Sequence, residues 1–109
     1  MFALTMRFTL PEGTDWAAIP ALMEDRARNL YAEMPGLVSK AFVYDPGSRE
    51  YGGNYVWESR RQIEEFLASD LVRQAREKFG EPTTVHIHRV AVLLHRGEVM
   101  TAASAEVAG

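Results

Sequence analysis

Three side chains capable of acid–base chemistry stand out because apolar and aromatic residues surround them. Lys40 interrupts the apolar run Leu37–Tyr44, and His86 and His88 lie two positions apart near the C-terminal end. A lysine amine that is removed from water has a lowered pKa and can hold an enolate or a phenolate. The alternative for Lys40 is an edge or interface position from which its stem reaches water. We name Lys40 as a candidate catalytic residue.

The two histidines form a second candidate group. His86 and His88 share one face of a predicted strand, because strand side chains alternate between faces. Imidazole titrates near neutral pH, so either ring could act as a base or contact a substrate, and the alternative is structural hydrogen bonding. No Asp, Glu or Cys directly beside the pair supplies the further ligands that a metal site would need. We therefore name His86 and His88 as candidate catalytic residues and expect no metal.

Aromatic side chains could form the wall of a binding site. Tyr55 and Trp57 share a parity on a predicted strand, and Trp16 and Tyr31 lie on the apolar face of a predicted helix. We name these four as candidate substrate-binding residues. The alternative for each of them is ordinary packing in the hydrophobic core.

Alternating strand and helix patterns position these candidates. Apolar residues at every second position predict a strand over Phe2–Leu10, and three- and four-residue spacing predicts a helix between Trp16 and Met34. Pro20 removes a backbone donor, so that helix should start late or irregularly. A capping box at Ser59 and Gln62 and a second start at Ser69 predict two further helical segments. The remaining predicted strands are Leu37–Tyr44 and Tyr51–Glu58, joined as a hairpin, and one long last strand over Thr83–Arg96.

The order β-α-β-β-α-β is the ferredoxin-like arrangement, an α+β fold with a four-stranded antiparallel sheet and helices on one face. Helices on one face leave the other face uncovered, yet the predicted strands carry apolar residues for both faces. A second copy of the sheet, packed face to face about a two-fold axis, would cover it. We predict a homodimer, with residues 1–96 as the single domain and residues 97–109 as a mobile tail.

Composition argues against several other classes of protein. The 109 residues are 47% hydrophobic and 25% charged, which fits one soluble globular domain. A net charge of −3 without a basic cluster argues against a nucleic-acid partner. The chain has no Cys, no glycine-rich nucleotide loop and no apolar run long enough to span a bilayer. We predict a cytoplasmic protein without a membrane partner or a nucleotide cofactor.

Four segments carry a resemblance to a known group of proteins. They are Gly36–Phe42, Tyr51–Ser59, Phe66-Leu67 and Ser69-Asp70. Together they resemble the small dimeric α+β-barrel proteins of the YdhR-like monooxygenase group, and the likeness covers most of the chain, from about Phe2 to Leu94. The resemblance implies a ferredoxin-like protomer, a dimeric barrel and a small-molecule cavity between sheet and helices.

Better-known branches of the same superfamily suggest two kinds of chemistry. Haem-degrading members carry a Trp late in the third strand and, after a Ser-Asp step, a His that ligates the iron. Trp57 and Ser69-Asp70 are similar, but the helix through Phe79 contains no His, so we expect no haem and no other cofactor. Cofactor-independent, quinone-forming monooxygenases of polyketide pathways instead oxidise an electron-rich phenolic substrate in an apolar pocket.

The leading expectation is therefore a cofactor-independent monooxygenase that acts on a small aromatic or apolar molecule. Two alternatives stay open at this point. One is a binding or sensing module without turnover, and the other is an isomerase or lyase that works by proton transfer from Lys40 or a histidine. Fold membership cannot choose among the three, because one scaffold carries many different sites.

Overall fold

The computed structural model describes residues 1–102 of the 109-residue chain. A 3₁₀ turn, Trp16–Ala18, leads into the first helix, and a π-helical turn, Ala27–Tyr31, follows that helix. No helix of this part of the chain is long and apolar enough to cross a membrane. The strands and α-helices are β1 Phe2–Thr9, α1 Ile19–Arg26, β2 Leu37–Asp45, β3 Glu50–Trp57, α2 Arg60–Leu67, α3 Asp70–Phe79, β4 Thr84–Arg89, β5 Val92–His95 and β6 Glu98–Thr101.

Strands β1 to β4 form one antiparallel sheet in the order β2-β3-β1-β4. The central strand β1 pairs on both sides, so that Leu4 is opposite Tyr55 in β3 and opposite Ile87 in β4. The predicted hairpin of β2 and β3 is confirmed, and in its turn the Asp45 carboxylate accepts a hydrogen bond from the backbone N–H of Gly47. The predicted α+β architecture with a four-stranded antiparallel sheet is confirmed, and it is compatible with a ferredoxin-like arrangement.

The hydrophobic core lies between one face of this sheet and the helices. Alternate residues of β1 point to that face, where they pack against buried side chains of all three helices. Leu4, Met6, Trp57 and Ile63 are the largest side chains that are fully enclosed. The alternating apolar residues of β1 therefore form the buried face of a strand, as the sequence analysis predicted.

The opposite face of the sheet, which we call the open face, is more polar than predicted. Strand register places Thr5 there, between Asn54 of β3 and His86 of β4. Arg7 lies on the same face, and its guanidinium donates hydrogen bonds to the Asn54 side chain at 2.8 Å and to the backbone oxygen of Gly53 at 3.0 Å. Small and polar residues therefore occupy much of a face that the sequence analysis expected to be apolar.

The helix boundaries follow local signals in the sequence. Pro20 lies in the first turn of α1, after the 3₁₀ turn, which confirms the predicted irregular start. At α2 the backbone N–H of Gln62 donates to the Ser59 hydroxyl, and the Gln62 side chain accepts from the Ser59 N–H. This reciprocal pair is the predicted capping box. Gly80, with φ of 84°, ends α3.

The predicted single strand over Thr83–Arg96 is wrong, because the chain forms two strands there. β4 ends at Arg89, which is opposite Phe2, the first residue of β1, and the backbone N–H of Val90 then donates to the Met1 oxygen at 3.0 Å. β5 and β6 then pair with each other. Their two-residue turn has φ of 49° at Arg96 and 80° at Gly97, the positive values that a type I′ hairpin turn requires.

The β5–β6 hairpin also changes the predicted boundary at residue 96. Residues 98–101, which the sequence analysis assigned to a mobile tail, form β6, and residues 103–109 lie outside the described part of the chain. One face of the hairpin carries three apolar residues and Thr101. On that face Val92, Leu94 and Val99 are 57%, 66% and 64% exposed.

Candidate functional site

A cavity of about 280 Å³ lies between the core face of the sheet and the helices. Its wall is formed by β1, β2 and β3, the end of α1, the π-helical turn, and one side of α3, with Phe66 of α2. This volume is just below the usual range for ligand pockets, so the cavity suits only a small molecule. Its polar lining consists of Arg26, Tyr31, Lys40, Tyr51, Tyr55, Gln74 and Lys78, and the rest is apolar or glycine.

Lys40 extends into this cavity and is surrounded by aromatic rings. Its Nζ atom is 3.4 Å from the ring centre of Tyr31, 3.9 Å from that of Phe42 and 4.4 Å from that of Tyr55. Strand register accounts for two of these contacts, because Tyr55 is directly opposite Lys40 and Phe42 is two residues further along the same face of β2. The ring faces attract a cation and so stabilise the ammonium form of Lys40.

Gly53 provides the space for the Lys40 stem. A Cβ atom at this position would lie 2.8 Å from Cε of Lys40 and 2.9 Å from the nearest ring atom of Tyr55. Both distances are shorter than any ordinary carbon contact. The second glycine of the Gly-Gly step in β3 therefore permits the lysine and the tyrosine ring to occupy adjoining positions.

Burial works against the charge on Lys40. Loss of hydration, together with repulsion from Arg26, lowers the pKa of Lys40 to about 7, and the attraction of the ring faces opposes this shift. The described wall of the cavity contains no Asp or Glu that could restore the charged form. The Lys40 amine therefore exchanges protons near neutral pH, as a general base must.

The phenols beside Lys40 remain protonated. Burial raises the pKa of Tyr31 to about 12, although the hydrogen bond with Tyr55 opposes this. Burial also raises the pKa of Tyr55, to which the charge of Tyr31 contributes, and the pKa of Tyr51. Because the phenols keep their protons, their hydroxyls can donate hydrogen bonds to an anionic oxygen in the cavity.

The π-helical turn places Arg26 and Tyr31 on the same side of the chain, facing the cavity. In an α-helix each residue advances about 100°, so two residues five positions apart point about 140° away from each other. Hydrogen bonds between residues i and i+5 widen the turn and bring such a pair back to one side. The same turn directs Leu30, which α-helical spacing from Met23 would place in the core, toward solvent with 47% exposure.

The aromatic residues predicted to bind substrate are divided by the fold. Tyr31 and Tyr55 line the cavity with Lys40. Trp57 lies behind the wall, 2% exposed, with its ring stacked on that of Tyr55 at 6.2 Å between centres. Trp16 is outside the cavity and stacks on a tyrosine of β2. In these positions both tryptophans pack against other side chains. Neither could contact a substrate in the cavity unless the cavity had a different shape.

His86 and His88 share one face of β4, as expected from their spacing, but it is the open face. Their rings are 6.2 Å apart, and both side chains are exposed. Ile87 between them packs against the core, so the thickness of the sheet separates the histidines from Lys40. The structure therefore does not bring the three candidate catalytic residues into one site. Within residues 1–102, no group of three or more His, Cys, Asp or Glu could hold a metal ion.

Arg26 is a charged cavity residue that the sequence analysis did not single out, as it also did not single out Tyr51, Gln74 and Lys78. Arg26 lies seven positions after Ile19 and three after Met23, both buried, and therefore on the apolar stripe of α1. A charged residue within an apolar stripe is the signal that could have identified it. Repulsion from Arg26 reaches Lys40, so the two cations belong to one electrostatic environment.

Comparison with known proteins adds no assignment to this geometry. No family model matches the chain, and no curated protein matches it.

The lowered pKa of Lys40 predicts a pH-dependent stability. Because the folded-state pKa of about 7 lies below the ordinary value of 10.5, the unfolded chain binds more protons between these two values. The free energy of unfolding should rise from neutral pH to about pH 9.5 by on the order of 2–3 kcal/mol. Urea unfolding at each pH should show this rise for the wild type and for Lys78→Met, an exposed control. The rise should be absent in Lys40→Met, and its persistence there would contradict the lowered pKa.

The π-helical turn predicts that one deletion is tolerated. Removal of Leu30 leaves Arg26 and Tyr31 four residues apart, which is the same-face spacing of an ordinary α-helix. Urea unfolding should then give a free energy within about 1 kcal/mol of the wild type. Deletion of Glu65 in α2 is the control, because it rotates the buried Phe66 away from the core and should destabilise the fold by about 3 kcal/mol or more. Equal losses in the two deletions would show that the turn does not accommodate an extra residue.

Proposed function

We propose that this protein is a cofactor-independent monooxygenase that binds a small aromatic phenol or enol in the cavity and oxidises it with O₂. The observation that carries the proposal is the Lys40 amine, which lies among three aromatic rings in a cavity whose described wall has no carboxylate. The resemblance to the YdhR-like group supports the reaction type. The surrounding rings support an aromatic substrate, which they can contact edge to face or in offset stacks.

Lys40 acts first as a base and then as a counter-ion. Its uncharged amine takes the proton of the substrate hydroxyl, and the ammonium that results lies beside the phenolate or enolate that it has produced. The hydroxyls of Tyr31 and Tyr51, which keep their own protons, donate hydrogen bonds to the same anionic oxygen. The arrangement thus stabilises the electron-rich form of the substrate, which is the form that reacts with O₂.

The oxidation balances without a bound cofactor because the substrate supplies all four electrons. The carbanionic ring carbon transfers an electron to O₂, and the two radicals combine to form a carbon–oxygen bond. Loss of water then leaves a carbonyl at that carbon, so one oxygen atom enters the product and the other leaves as water. A phenol with a free ring C–H is converted in this way to a quinone. The aromatic and aliphatic side chains of the wall restrict water around the reacting anion.

Oxygen consumption tests the reaction. Electron-rich dihydroxynaphthalenes should be oxidised with one O₂ consumed per quinone formed, above the uncatalysed rate. Lys40→Met should lower kcat by about 100-fold or more, because it removes the base. Arg61→Gln, which removes an exposed cation of α2 outside the cavity wall, should leave kcat within a few-fold of the wild type. Measurement requires an oxygen electrode together with the quinone absorbance.

The other outcomes separate the competing functions. Saturable binding of the dihydroxynaphthalenes without O₂ uptake would indicate a binding module. Lys40-dependent exchange of ring hydrogens for deuterium without O₂ uptake would indicate an isomerase or lyase that uses the same base. Equal kcat values for Lys40→Met and the wild type would remove Lys40 from the mechanism.

We also propose that the protein is a homodimer of ferredoxin-like protomers. The support comes from the β5–β6 hairpin, where Val92, Leu94 and Val99 form an exposed apolar face. Exposed apolar surface of this kind is typical of interaction sites. Near the hairpin turn, His95 borders a shallow hollow on the open face together with Ala3. A second copy that packs against the open face could therefore also cover the hairpin.

Substitution on the hairpin tests the dimer. Light scattering coupled to size exclusion should give the mass of two chains for the wild type at micromolar concentration. The double variant Leu94→Asp/Val99→Asp should elute as a folded monomer. Its two negative charges on the apolar face of the hairpin would make burial of that face in a dimer unfavourable. Leu30→Asp, a charge at an exposed leucine elsewhere, should remain dimeric. A monomeric wild type would remove the proposed dimer without affecting the cavity.

A further inference from the structure

Arg26 is a second cation at the cavity that has no partner within residues 1–102. Its side chain lines the cavity, and its Nε atom is buried without a hydrogen-bond acceptor. A buried donor that lacks an acceptor destabilises the fold, and a charged donor does so more strongly. The preceding helix and the π-helical turn nevertheless hold Arg26 against the cavity wall. Because Nε has almost no accessible surface, a ligand in the cavity would pair with the terminal nitrogens of the guanidinium, which make no hydrogen bond within residues 1–102.

The charge of the cavity is opposite to that of the whole chain. The chain has a net charge of −3, whereas the titratable side chains along the described wall are Arg26, Lys40, Lys78 and three tyrosines, with no Asp or Glu. The remaining polar group, Gln74, has an amide that can donate hydrogen bonds. Such a wall offers donors and positive charge, and therefore favours a ligand that brings negative charge.

We propose that the ligand of this cavity is an aromatic carboxylic acid whose carboxylate pairs with the guanidinium of Arg26 while its ring lies among the aromatic side chains. The inference rests on the proposed function, because it takes the cavity to be the substrate site. It adds a permanent carboxylate to the phenol or enol hydroxyl that Lys40 deprotonates. The substrate class is thus a hydroxylated aromatic acid.

The chemistry of Arg26 favours a carboxylate over other anions. A guanidinium presents parallel N–H groups in one plane, which match the two oxygens of a carboxylate. A phosphate group has more oxygens and a larger charge, and proteins often hold it on the backbone N–H groups of a glycine-rich loop, which the described wall of this cavity does not contain. The cavity of about 280 Å³ also leaves little space beyond that of a small ring system.

The relation between Arg26 and Lys40 suggests how one ligand could engage both. Arg26 is close enough to Lys40 for its charge to lower the pKa of the lysine. An anion that lies between two like charges offsets their repulsion. A substrate with a carboxylate at one end and an acidic hydroxyl elsewhere on the ring would place one negative oxygen near each cation. Tyr31, on the same side of the π-helical turn as Arg26, would contact the ring between them.

A matched pair of probes tests the charge requirement. 2-Naphthoate and 2-naphthamide have nearly the same shape, but only the first is an anion at neutral pH. Isothermal titration calorimetry should show that the wild type binds naphthoate about tenfold or more tightly than naphthamide. Arg26→Gln should reduce this ratio to near one by weakening naphthoate alone, and Arg26→Lys should retain part of it. Arg28→Gln, which removes an exposed arginine paired with Glu24, should leave the ratio unchanged.

Each outcome has a defined meaning. Equal affinity of the wild type for the two probes, or no saturable binding of naphthoate at millimolar concentration, would overturn the inference, and this result does not depend on how the variants fold. Equal weakening of both probes by Arg26→Gln would show a structural role for Arg26 and would also overturn it. If the wild type still oxidises uncharged dihydroxynaphthalenes with O₂ in that case, the proposed oxygenation is retained and only the carboxylate requirement is lost. Arg26-dependent naphthoate binding without O₂ uptake from any hydroxylated naphthoate would leave the inference intact and overturn the oxygenation.

Discussion

The pairing of β1 with a neighbour on each side is the constraint on which the rest of the structure depends. Strand side chains alternate, so a shift of one residue in either ladder would turn a whole set of core residues to solvent. The observed register places Leu4 beside Tyr55, and the pairing of β3 with β2 then places Tyr55 beside Lys40. The environment of the amine is therefore a consequence of sheet register, which the apolar face of β1 fixes.

Local signals in the sequence predicted most of this architecture. The period-two pattern of β1, the turn after β2 and the capping box at Ser59 each depend on residues close together in the chain, and each is present in the structure. Two of the features that sequence reasoning missed depend on distant partners or on a local irregularity. The end of β4 lies opposite the start of β1, which is distant in the sequence, and no pattern within β4 indicates it. The π-helical turn directs Leu30, which α-helical spacing would place in the core, toward solvent.

The candidate site was predictable only in part. Spacing indicated that Lys40 and Tyr55 share a sheet with apolar neighbours, but the opposite side of that sheet holds His86 and His88, and parity within one strand does not reveal which face the helices will cover. Arg26 was recognisable in principle as a charge on the apolar stripe of α1. Its location at the cavity is known only once the helix is packed against the sheet, because the same residue on an exposed helix would be an ordinary surface arginine.

The missing side chain at Gly53 links two positions that are distant in sequence. A Cβ atom at position 53 would overlap Cε of Lys40 and the ring of Tyr55. The positions of the lysine at 40 and the glycine at 53 therefore depend on each other sterically. The two residues lie thirteen positions apart on adjacent strands of one hairpin. This dependence gives a recognition criterion for other chains of the same architecture: those that keep the glycine with the lysine have space for a buried amine in this position, and those that replace the glycine require the lysine stem and the tyrosine ring to shift.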